Sequence, residues 1–105
     1  MAITSFQEAL PMPATGRAML PLIDIPNGLK LVLGAVPEGI LLPSHTTAYP
    51  ASVQLLQGSI EVMRGEAWIQ VAPGERVAFE PGQLHAVKAL ESSYILVTHL
   101  RHLAH

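Results

Sequence analysis

The sequence contains no cysteine. Disulfides, thiolate nucleophiles and thiolate zinc sites are excluded together. The same absence fits a cytoplasmic location. Charge is scarce: 13% of residues are charged, and the formal net charge is −2. The six Lys and Arg are scattered along the chain, so no basic patch recruits nucleic acid or an anionic membrane. Aromatic residues are few, and Trp68 is the single tryptophan, so there is no stacking platform for bases. Long apolar runs are missing too. No stretch approaches the roughly 20 residues of a membrane helix, because Pro and Gly interrupt every apolar segment. The segment from Met1 to Phe6 has no cationic flank and no long apolar core, so it does not read as a signal peptide.

What remains is half apolar, enough for a real core in one domain of 105 residues. Nine Pro and eight Gly are spread over the whole length, which favours short strands over long helices. One helical turn is expected at Ser5–Leu10, with Ser5 as its cap and Pro11 as its stop. The rest alternates with period two. Leu29, Leu31, Leu33 and Ala35 alternate with Lys30, Val32 and Gly34. Ala51, Val53 and Leu55 alternate with Ser52 and Gln54. Ile60 and Val62 follow Gly58, and Ala67, Ile69 and Val71 follow the Arg64-Gly65 turn. Pro73-Gly74 and Pro81-Gly82 are further turns, and His85, Val87 and Ala89 share the next face. The segment near Tyr94–Leu100 is apolar on both faces. Such strands between evenly spaced turns predict an all-β sandwich or small antiparallel barrel.

Residues 1–27 differ from residues 28–105. Pro11, Pro13, Pro21 and Pro26 break up an apolar stretch that reads as an extended arm, ahead of a barrel over 28–105. An apolar edge needs a cover. The arm either packs on a partner subunit, giving a homodimer, or folds back on its own barrel.

The chemistry-bearing residues are the five histidines, His45, His85, His99, His102 and His105. Imidazole is the commonest protein ligand for divalent transition metals. His85 shares a face with Val87 and Ala89 and should point inward. It reads either as a ligand or general base, or as a core His bonded to a backbone carbonyl. Thr47 lies two residues after His45 and should share its face, where a hydroxyl can bond a water or an oxygenated ligand. His99 falls on the face of Ile95 and Val97 and is a possible third ligand. His102 and His105 sit at a terminus, where solvated side chains are the rule. No serine stands in a nucleophile elbow, and no glycine-rich loop cradles phosphate.

Two segments resemble the cupin motifs, and together with their strands they cover about Lys30 to Leu100. The first family motif, G-x5-H-x-H-x3–4-E-x6-G, is met in spacing from Gly39 through His45 to Gly58. Thr47 stands at the second His and Ala51 at the Glu. The second motif, G-x5-P-x-G-x2-H-x3-N, is followed from Gly74 through Pro81-Gly82 to His85, with one spacer residue moved ahead of Pro81 and Ala89 in place of Asn. The stretches Ala48–Gly58 and His85–Glu91 are similar to small single-domain, RmlC-like jelly-roll cupins of unassigned function. The resemblance implies a double-stranded β-helix, often a homodimer. It also implies that a metal held elsewhere by three His and one Glu has lost two ligands here, at Thr47 and Ala51. A site built from His45, His85 and His99 would be needed to hold one Ni, Zn, Fe or Mn ion.

Three readings follow. In the first, a small molecule binds in the barrel mouth among His45, Thr47, Tyr49, Gln54 and His85, with walls from Val53, Leu55, Val77 and Phe79. In the second, the chain is a metal-dependent dioxygenase or isomerase using His45, His85 and a third ligand, or a metal-free isomerase with a His base. In the third, no chemistry is retained and the histidines are satisfied interior groups.

Overall fold

Proline and glycine turns cut the chain into short strands, because neither residue sustains a regular ladder. The structure is a computed structural model and describes residues 4–101. Among them, α1 (Phe6–Ala9) precedes β1 (Ala18–Asp24), β2 (Leu29–Val36), β3 (Leu41–His45), β4 (Ala51–Gln57), β5 (Ile60–Arg64), β6 (Ala67–Val71), β7 (Arg76–Phe79), β8 (His85–Ala89) and β9 (Ser93–Leu100). They form two sheets, ordered β1-β2-β9-β4-β7 and β3-β8-β5-β6. Every pairing is antiparallel. The fold is the expected all-β double-stranded β-helix. No helix among the described residues is long and apolar enough to cross a membrane.

The two sheets close over one core. Val36, Leu55 and Ile95 enter it from the first sheet, and Ile60, Val62 and Ala89 from the second, all fully buried. Each such large side chain contributes about 1.5–3 kcal/mol by leaving water.

Register then decides what lines the interior, because residues directly opposite each other share a face. One row across the first sheet reads Met19, Gly34, Ile95, Leu55. The next reads Pro21, Val32, Val97, Val53, Val77. The third reads Asp24, Lys30, His99, Ala51, Phe79. Two apolar rows are thus followed by one that carries charge and imidazole.

The opposite face of β2 also needs covering, since Leu33 and Ala35 point there with Tyr94 of β9. The N-terminal segment supplies the cover. Ser5 caps α1 by accepting from the Glu8 N–H at 3.2 Å. That turn sets Phe6 edge-on against Tyr94, with ring centroids 5.0 Å apart. The Tyr94 hydroxyl donates to the Leu10 carbonyl at 2.8 Å. Within the stretch read as an arm, residues 4–12 therefore lie on their own sheet, and residues 18–24 are its edge strand. The β1–β2 connection turns at Asn27, whose φ of +57° places it in the left-handed region that Asn tolerates. Arg101 fastens this turn by donating to the Gly28 and Ile25 carbonyls and pairing with Asp24.

Candidate functional site

Both motif histidines sit at strand ends. His45 is the last residue of β3 and His85 the first of β8, and the two are direct partners in the ladder. Their ring centroids are 4.2 Å apart at 63°. Phe79 stacks on the His85 ring at 4.2 Å and 11°. The His45 Nδ1 donates to the Pro43 carbonyl at 3.1 Å, and the His85 Nδ1 to the Gln83 carbonyl at 3.0 Å. A carbonyl only accepts, so each bond puts the proton on Nδ1. The neutral ring then keeps its lone pair on Nε2. One His85 nitrogen is thus satisfied by backbone, and the other has no hydrogen bond to the protein among the described residues. His85 is 4% exposed. Burial holds its pKa below the ordinary value, with a further lowering by His45 outweighing part of the support from Gln83.

His99 joins them on the inner face, as its period-two relation to Ile95 and Val97 implies. Its Nδ1 is buried with no hydrogen-bond partner among the described residues. Burial lowers its pKa most, followed by the charges of Lys30 and Arg101 and the neighbouring His45 and His85.

These side chains line a cavity of about 580 Å³. Its floor is Val32, Val53, Val87, Ile95 and Val97, and its rim includes Arg17, Lys30, His45, Phe79, His85 and His99. Of the residues expected in the barrel mouth, His45, Val53, Phe79 and His85 are brought together here, and His99, expected as a third metal ligand, lines the same cavity. Thr47 and Tyr49 are not among the lining residues. β3 ends at His45, so period two no longer governs Thr47. Its hydroxyl instead donates to the Tyr49 carbonyl at 2.8 Å and closes a local turn. Tyr49 packs edge-on to the His99 ring with centroids 5.5 Å apart, and so backs the site without facing it. Gln54 points outward and donates to the Gly74 carbonyl. Leu55 and Val77 belong to the closed core. Arg17 and Lys30 were not expected at the site. The apolar run from Leu29 to Val36 broken by one Lys was the available signal, but its meaning depends on the β1–β2–β9 register.

The donor set does not fit a tight metal site. Among the described residues, no group of three His, Asp or Glu is placed to hold one ion. His45 and His85 are adjacent, but Ala51 offers no ligand atom, and the His99 ring lies against Tyr49. His102 and His105 lie outside the described residues.

No family model matches the chain, and no curated protein matches it significantly. Solved structures do. An RmlC-like cupin from Desulfovibrio desulfuricans superposes with a TM-score of 0.82 at 22% identity, covering 96% of this chain and 97% of its own. The chain has the cupin fold. A double-stranded β-helix protein from Klebsiella pneumoniae matches at TM-score 0.81 and 16% identity over 100% of this chain and 94% of its own. A conserved Streptococcus pyogenes protein of unknown function matches at 0.87 and 18% over 95% and 87%. Likeness at these identities speaks for fold, and one fold hosts many chemistries.

The lowered imidazole pKa values make the stability of this chain pH-dependent. The unfolded rings titrate near the ordinary 6.5, and the folded His85 and His99 titrate below it. Between those values the unfolded chain binds more protons, so folding stability rises with pH there. The contribution is complete above pH 6.5 and is lost as pH falls through the folded values. Melting temperatures should therefore drop as the pH falls below the ordinary imidazole value of about 6.5. A His85→Gln, His99→Gln double variant should show a flatter profile; an unchanged slope would contradict the burial argument.

Proposed function

We propose that this cupin is a small-molecule-binding protein whose ligand sits in the cavity between the two sheets, at a metal site that has lost its ligands. The observation that carries the reading is the composition of that cavity. An apolar floor of Val32, Val53 and Val97 lies beneath a rim where two imidazoles keep an Nε2 lone pair for a ligand. Its volume of about 580 Å³ lies within the range usual for small-molecule sites. The degenerate donor set supports binding over metal catalysis, since Ala51 carries no ligand atom and Thr47 is engaged elsewhere.

Two measurements test this. A thermal-shift screen of small organic compounds should find ligands that raise the melting temperature, by mass action on the folded state. Val53→Trp, which fills the floor, should abolish every such shift. Shifts that survive Val53→Trp would place binding elsewhere and overturn the reading. Metal analysis of protein purified without a His tag separates the enzymatic alternative. Near-stoichiometric Ni, Zn, Fe or Mn, lost on His85→Ala, would favour a metal-dependent dioxygenase or isomerase instead.

A further inference from the structure

The cavity is sorted by charge. The chain has six basic and eight acidic residues, and all of them lie among those described. Arg17 and Lys30 line the cavity, and not one of the eight carboxylates does. The acid nearest in register is Asp24, opposite Lys30. It is bonded to Arg101 at 2.5 Å, which answers its charge. Neither Arg17 nor Lys30 has a salt-bridge partner among the described residues. Lys30 lies between Asp24 and His99 in the third row, and Arg17, the residue just ahead of β1, lines the same cavity. His99, opposite Lys30 in the ladder, also lines the cavity.

We propose that the cavity selects an anionic ligand: a carboxylate held by Lys30 and Arg17, carried on an apolar body that packs against Val32, Val53 and Val97. This names the ligand class for the binding function above and rests on that reading. A carboxylate suits the donors better than a phosphate, because the cations come from two separate segments, Lys30 on β2 and Arg17 ahead of β1, and no glycine-rich loop presents a nest of backbone N–H groups. The two oxygens of a carboxylate can accept from Lys30 and from Arg17, and charge-assisted bonds of this kind are the strong ones. The apolar walls strengthen them by keeping water out.

A matched pair of probes tests the class: 4-phenylbutyrate and its neutral amide, titrated calorimetrically at low salt and about pH 8, where imidazoles are neutral. The acid should bind at least about tenfold more tightly than the amide, and added salt should erode the difference. Lys30→Gln and Arg17→Gln together should remove the preference and leave the amide affinity unchanged. Both side chains are free of structural bonds, so the variants should fold. Lys88→Gln, on the outer surface, should change nothing. Equal binding of acid and amide would overturn the anion assignment while the binding reading stood. A preference that survives the double substitution would overturn the roles of Lys30 and Arg17. Failure of both probes to bind would count against this proposal and the binding reading together.

Discussion

Replacing Gly58 by alanine should lower the melting temperature by roughly 20 °C, given about 4–8 °C per kcal/mol for a domain of this size. Two causes add. Gly58 has φ of +107°, beyond the left-handed well that other residues occasionally visit. A non-glycine residue held there costs on the order of 1–3 kcal/mol. A Cβ would also stand 2.7 Å from the Ser92 carbonyl and 2.8 Å from the Ser93 Cα. Those neighbours are backbone and cannot rotate away, so overpacking costs about another 1–3 kcal/mol. The contact matters because Gly58 lies where the chain leaves β4 of one sheet to enter β5 of the other. Ser93 is fully buried there, and its hydroxyl accepts from the Ser59 N–H at 3.0 Å. Gly65 is the control. Its φ is +68°, but nothing lies within 4 Å of its would-be Cβ. Gly65→Ala should therefore cost only about 1–2 kcal/mol. Chemical denaturation of both variants decides the matter. Equal losses would show that the close approach to Ser92 and Ser93 is not real.

Gly58 also shows why the fold could be read from the chain while half of the site could not. Strand alternation and Pro-Gly turns are local, and each strand they predicted from Leu29 onward is present. His99 was legible for the same reason, because period two carries Ile95 and Val97 to it. Thr47 and Tyr49 were not, because the period applies only inside a strand and β3 stops at His45. Beyond that point a side chain goes where local bonds take it, and the Thr47 hydroxyl found the Tyr49 carbonyl. β2 misled in another way. Both of its faces are buried, one in the barrel and one under Phe6 and Leu10, so no polarity contrast marks the interior. Lys30 reaches the cavity through a pairing that spans most of the chain, with His99, and Arg17 lies ahead of β1, where no strand period applies. A register irregularity between Pro21 and Ile23 further hides the face of β1 from a count of residues.

Restoring one carboxylate should convert the site. Ala51 lies in register with His99 on one side and Phe79 on the other, and Phe79 stacks on His85, which meets His45. Glutamate at position 51 would set a carboxylate beside two imidazoles whose Nδ1–H groups are already committed to the Pro43 and Gln83 carbonyls. Such outer bonds orient an imidazole for a metal and raise its basicity. Two His and one carboxylate are then enough to hold a divalent ion with open positions. The expected result for Ala51→Glu is Zn or Ni binding at least about 100-fold tighter than in the unsubstituted chain, with roughly 2.7 kcal/mol of added stability at 100 times the dissociation constant. Without metal the variant should melt lower, because a carboxylate in an apolar cavity is poorly solvated. The same charge should repel a carboxylate ligand, so phenylbutyrate should lose its advantage over the amide. Ala51→Gln has nearly the same shape and no charge, and should gain neither metal affinity nor charge selectivity. If Ala51→Glu binds metal no better than Ala51→Gln, then His45, His85 and position 51 do not converge on one point. The cavity would then have to be understood from its cations and its valine floor, with no inherited metal geometry behind it.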